Sequence, residues 1–293
     1  MTAGPAPVTV RLRRAGHGDA PLRVLLLHGL AGGANVWDDY LGLAGHGHEL
    51  WAAELPWRAE AVPDWSRHPP AHWTARAMAQ VPGGPDVVVA HSFGAAALLA
   101  LLDGQGMPAA DLAPAGVDAF SWHRLRGVVL VSPFYRADPG QFDWETISYY
   151  LNGFDRILAD GLRVRSGGRI VGELRQEMAL KVRERIGPYG WTGFFDTYLR
   201  TPYLDTRRLA GPCLVIGGED DFAAFPSDSE ALGAALPDAT VKILGGCGHF
   251  AMIERAAEFA ALTDSFLGAA ATRTRPGPGG GCRTPNQHAR EQF

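Results

Sequence analysis

Cysteine is scarce in this 293-residue chain. Cys213, Cys247 and Cys282 are odd in number, widely spaced and form no CxxC, so neither a disulfide framework nor a structural zinc site is supported, and a reducing cytoplasm is the expected compartment. Lysine is nearly missing, with only Lys181 and Lys242 among the 27 basic residues, a bias that accompanies the many Ala and Gly and carries no mechanism. A basic excess is also lacking: 27 Lys and Arg face 31 Asp and Glu, a net charge of −4, so nucleic acid is not an expected partner. No apolar run has the length of a bilayer span. The most apolar stretch, Val87 to Leu102, is too short and carries His91 and Ser92, and the N-terminal stretch has no apolar run of signal-peptide length; a soluble protein without a membrane partner is expected. Neither a Walker motif nor a GxGxxG fingerprint occurs, so no nucleotide cofactor is implied. His46-x-His48 and His68-x-x-x-His72 have metal-like spacing but lack the HExxH glutamate and a nearby cysteine, and no metal is expected.

What is present is ordinary globular composition, 46% hydrophobic and 20% charged, in short apolar runs that alternate with segments of helical period. That alternation predicts an α/β fold with a mostly parallel central sheet flanked by helices. The expected strands are Val8 to Arg13, Leu22 to His28, Glu49 to Glu54, Asp86 to His91, Gly127 to Val131, Pro212 to Ile216 and Thr240 to Leu244. The middle and later ones are almost purely apolar, as strands covered on both faces must be. Between Arg136 and about Leu209 the rhythm stops: helical stretches dense in aromatics replace strands, which predicts an inserted helical cap over 136–209 between core segments 1–135 and 210–268. Residues 269–293 are Pro-, Gly- and Arg-rich without apolar period and are expected to be a disordered tail carrying Cys282.

Ser92 stands in Ala90-His91-Ser92-Phe93-Gly94, directly after the strand run PDVVVAH and before the helical run FGAAALLALL. A serine on so tight a strand-to-helix turn needs small residues two before and two after it, and Ala90 and Gly94 supply them; its hydroxyl then projects above the sheet as a candidate nucleophile. Such a hydroxyl needs a base, and the base needs an orienting carboxylate. His249, in the Gly-rich loop after TVKIL, is the candidate base, and the acid is sought in Gly218-Glu219-Asp220-Asp221, after CLVIG.

With these residues in place, the chain resembles the α/β-hydrolase superfamily, in particular its capped serine esterase and C–C hydrolase branch, through LLLHGLAGG, VVVAHSFGAAA, CLVIGGEDDFAAFP and GCGHFAMIE. The resemblance implies that Asp221, last of the Gly-Glu-x-Asp turn, is the acid, with Asp220 the alternative. It also implies an oxyanion hole made by the backbone N–H groups of Leu30 and Phe93. His28 and His91 are expected to hold loops by hydrogen bonds, and Cys247 to pack. Where relatives carry small residues after the third strand, this chain has Trp57 and Arg58; with Phe134, Phe222 and Phe250 they are candidate substrate contacts. The activity implied is hydrolysis of an ester or thioester of a small, largely apolar substrate, without cofactor. C–C bond hydrolysis or acyl transfer on the same residues is the nearest alternative, and a non-catalytic ligand-binding protein is the alternative of another class. Oligomeric state is not legible.

Overall fold

The computed structural model describes residues 7–17, 20–58, 65–108, 113–114 and 117–276. Seven strands, β1 (Thr9–Arg14), β2 (Arg23–Leu27), β3 (Glu49–Glu54), β4 (Val87–His91), β5 (Gly127–Val131), β6 (Cys213–Gly218) and β7 (Ala239–Leu244), form one sheet in the order β1-β3-β2-β4-β5-β6-β7. β1 runs antiparallel to β3 and every other pairing is parallel. The helices are α1 (Asp38–Leu43), α2 (Pro70–Met78), α3 (Phe93–Asp103), α4 (Ala119–His123), α5 (Trp144–Arg165), α6 (Gly172–Leu199), α7 (Pro226–Ala235), α8 (Ala251–Glu254) and α9 (Ala256–Ala271). Every residue of β4, β5 and β6 is buried, which is why those runs are apolar without alternation. Core side chains fill both sides of the sheet, with Phe93, Leu98 and Phe120 on one side and Trp37, Tyr40 and Phe259 on the other. Among the described residues, no helix is long and apolar enough to cross a membrane.

The helical insertion between β5 and β6 is built from α5 and α6. The Asp143 side chain caps α5 by accepting from the Thr146 N–H. Gly187, at φ +68°, and Pro188 interrupt α6, so the segment is two helices meeting at a kink. Both ends of the insertion are tied to the core at one point: Arg136 donates to the Tyr198 hydroxyl (2.9 Å) and pairs with the buried Asp228 of α7 (3.2 Å), and Tyr198 in turn bonds that carboxylate.

At the C-terminus the structure corrects the expected tail. α9 continues to Ala271, with Ala270 buried on the stripe that Phe259, Thr263 and Leu267 begin. Arg275 then docks on the buried Asp86 (3.2 Å) and on the carbonyls of Gly83 and Arg124. The apolar period runs one turn further than a reading of composition alone gives, and a single arginine finds a buried carboxylate. The rest of the tail, Cys282 included, lies outside the described residues.

Candidate active site

Ser92 follows β4 directly and holds φ +56° and ψ −122°, outside the regions an ordinary L-residue occupies. Flanking contacts over-determine this conformation: the Ser92 N–H donates to the Val131 carbonyl, and the Ser92 carbonyl accepts from Ala95 and Ala96 in the first turn of α3. A Cβ at Gly94 would come 2.6 Å from the His28 carbonyl, so only glycine lets α3 leave the turn at that angle. Of the four non-glycine residues with positive φ among those described, Ser92 and Ser132 directly follow β4 and β5 and Ala31 lies in the loop after β2, so backbone strain collects at the C-terminal edge of the central sheet.

His249 Nε2 lies 2.9 Å from Ser92 Oγ, and Nδ1 lies 2.8 Å from Asp221 Oδ2. Asp221 Oδ1 accepts from the N–H groups of Ala223 and Ala224, which fixes the carboxylate and leaves Oδ2 for the imidazole. With Nδ1–H donated to the carboxylate, Nε2 is the free acceptor for the serine proton. Asp221 is 3% exposed whereas Asp220 is exposed, so geometry selects between the two neighbours. All three side chains are nearly buried; Ser92 and His249 line a cavity of about 60 Å³, and Asp221 stands outside its lining.

Leu30 and Phe93 flank the serine from two loops. Gly29 makes the approach possible, since a Cβ there would lie 2.9 Å from Ser92 Cβ and 3.2 Å from Oγ. Among the described residues the Leu30 N–H has no acceptor, while the next two amides are used, Ala31 to the Trp57 carbonyl and Gly32 to the Gly29 carbonyl. Phe93 is the first residue of α3, where a backbone N–H has no intrahelical acceptor and the positive end of the helix dipole adds to it. The Leu30 amide thus stands without a protein acceptor in the loop after β2, and the Phe93 amide at the start of the helix that follows Ser92.

His28 and His91 are neutral structural groups. His28 Nε2 accepts from the Leu55 N–H (2.9 Å), so Nδ1–H donates to the Gly29 carbonyl (2.8 Å), and burial lowers its pKa to about 4. His91 Nε2–H donates to the His249 carbonyl (2.9 Å); burial, then the neighbouring His249, push its pKa well below the usual value. Cys247 is buried, and its thiol is raised to about 12, chiefly by burial.

Of the expected substrate contacts, Phe134 and Phe250 line the cavity and three do not. Trp57 is fully buried: it packs edge-on against Phe93 and Trp65 and donates from Nε1 to the His28 carbonyl, so the bulky residue supports the loop after β2. Arg58 stands outside the cavity lining, and Phe222 faces a separate surface groove beneath the Arg156 guanidinium. The walls that sequence reasoning did not assign come from the insertion, with Phe154, Leu158 and Arg165 on α5 and Phe194 on α6. A signal existed: the buried positions Tyr150, Phe154, Leu158 and Gly161 recur at helical spacing, and Arg165 continues that stripe. Among the described residues, no group of three or more His, Cys, Asp or Glu is arranged to hold a metal ion; His68 and His72 stack on one another and both meet Trp73 edge-on.

A model of the alpha/beta hydrolase family matches residues 24–262. A 63-residue segment is 38% identical to a 2-hydroxymuconate semialdehyde hydrolase of Pseudomonas putida, a match that spans 22% of this chain and about a fifth (22%) of that protein's length. The structure is similar to that of a bromoperoxidase from Bacillus anthracis, at TM-score 0.64 and 17% identity over 90% of this chain and 96% of that one. It is also similar to an enol-lactonase from Burkholderia xenovorans LB400, at TM-score 0.57 and 19% identity over 89% and 96%. At such identities the likeness is one of fold.

Proposed function

The chain belongs to the alpha/beta hydrolase family, and on that basis we propose that it is a serine hydrolase that cleaves a carboxylic ester or thioester of a small substrate. The observation that carries this reading is the unbroken chain from Ser92 Oγ through His249 to Asp221, opening into a mainly apolar cavity. Ser92 Oγ attacks the carbonyl carbon as His249 Nε2 takes its proton, and the tetrahedral oxyanion is held by the amides of Leu30 and Phe93. The imidazolium returns the proton to the leaving alcohol or thiol, and the acyl group stays on Ser92. Water, deprotonated by the same imidazole, then attacks the acyl-enzyme and frees the acid and the serine. Asp221 holds the ring and stabilises its positive charge throughout. A serine rather than an aspartate at the elbow favours carbonyl chemistry, since an alkyl-enzyme ester requires a carboxylate nucleophile. A panel of short-chain p-nitrophenyl and thiol esters tests the reading: turnover is expected, and Ser92→Ala is expected to lower kcat by a factor of about 10⁴ or more. Absence of turnover by a folded, monodisperse wild type across the panel would count against it.

C–C bond hydrolysis on the same residues is the second reading, favoured by the segment shared with a 2-hydroxymuconate semialdehyde hydrolase. Turnover of a vinylogous β-diketone acid faster than of every ester would move the assignment there.

A further inference from the structure

Away from Ser92 and its histidines, the cavity is apolar except for one side chain, Arg165 in the last turn of α5. Some arginines of the insertion have carboxylate partners, Arg163 with Asp160, Arg183 with Asp155 and Arg200 with Asp196, whereas Arg156, Arg169, Arg175 and Arg185 show none among the described residues and stand outside this cavity. Arg165 has none among the described residues. Its one hydrogen bond to protein there runs from Nη1 to the Ala31 carbonyl (3.2 Å), and the half-buried side chain keeps its other guanidinium donors available to water or to a ligand. Burial lowers its pKa, as expected for a cation withdrawn from water. A partly desolvated guanidinium facing an apolar wall without a protein carboxylate is favoured by a ligand that brings the counter-charge.

We propose that Arg165 recognises a carboxylate, so that the substrates of this site are esters or thioesters carrying a second, free carboxylate a few bonds from the scissile carbonyl. The proposal rests on the hydrolase reading and gives it a substrate class. The guanidinium fork matches the two oxygens of a carboxylate, and a point charge on a flexible stem would not. Its position fits as well: Arg165, Leu30 and Ser92 line the same cavity, and Arg165 bonds the carbonyl of Ala31, the residue after Leu30.

Monoethyl esters of the straight-chain diacids from malonate to adipate are the probes, each compared with its ω-amide, which keeps the shape and removes the charge. For the best-fitting length, the wild type is expected to prefer the half-ester by ten- to a hundredfold in kcat/KM, with the difference lying in KM. In Arg165→Gln the ratio of the two esters should fall toward one, and in Arg165→Lys, which keeps charge without the fork, it should be intermediate. Calorimetry separates this inference from the hydrolase reading: Ser92→Ala should bind the half-ester, and Ser92→Ala combined with Arg165→Gln should bind it at least tenfold more weakly. Equal kcat/KM for half-ester and amide in the wild type, a preference that survives Arg165→Gln, or binding independent of Arg165 overturns the proposal. Arg165-dependent binding without hydrolysis of any ester would leave it standing and remove the hydrolase reading instead.

Discussion

At Ser92, a single residue shows why sequence can reveal a site. A positive φ is tolerated there only because position 94 is glycine and Ala90 is small, so the strain has to be written into the neighbouring residues. The local pattern serves Asp220 or Asp221 and only the family resemblance favours Asp221; burial and the Ala223 and Ala224 amides favour the same residue. Asp221→Asn should therefore lower kcat by up to about 10⁴, since an amide would reward the wrong imidazole tautomer. Asp220→Asn, at an exposed carboxylate, should change kcat less than twofold. Steady-state kinetics on one activated ester checks both, and a larger loss from the Asp220 variant would transfer the role. Trp57 shows the opposite limit: a large side chain in a loop near a pocket looks like a substrate contact, yet the fold spends it beneath the loop after β2. Shortening it to Leu should cost roughly 2–4 kcal/mol as a cavity-forming change, seen as a lowered urea midpoint.

Among elements, strands were legible and the insertion less so. A strand buried on both faces can only be an apolar run between turns, which is how β4, β5 and β6 appear in the sequence. An amphipathic helix such as α5 shows that it has an apolar stripe but not what the stripe meets; here part of it meets the cavity, which left Phe154, Leu158 and Arg165 unassigned. α9 was cut short for a related reason, because Ala270 is too small to mark a period by itself. The docked end makes a definite difference: a chain ending at Leu267 should melt at least a few degrees below one ending at Pro276, having lost buried Ala270 and the Arg275 pairing with Asp86. Equal melting temperatures would mean that this turn adds nothing to stability.

Over the whole molecule, titration of buried groups sets an acid limit. His28 is held neutral down to about 4, and His91 well below its usual value, both mainly by burial, whereas each protonates near 6.5 in the unfolded chain. The unfolded state thus binds the extra protons between those values, so their contribution is complete above about 6.5 and is lost as pH falls through about 4. Asp228 acts in the opposite sense, its carboxyl raised to about 7 by burial against the pull of Arg136, while His123, lowered to about 4 chiefly by burial, and His48, also lowered by burial, act with the two histidines. The urea midpoint should fall from pH 6.5 to pH 4; a flat or rising profile would contradict the neutral assignment of the two histidines. The same architecture that buries them brings residues 92, 221 and 249 to one edge of the sheet, and whether that edge holds an activated serine is the central claim. A fluorophosphonate probe followed by peptide mass spectrometry tests it most directly. One adduct per chain on Ser92, absent from Ser92→Ala and formed far more slowly in His249→Ala, is the predicted result; a folded protein that stays unlabelled, or is labelled at another residue, would contradict it.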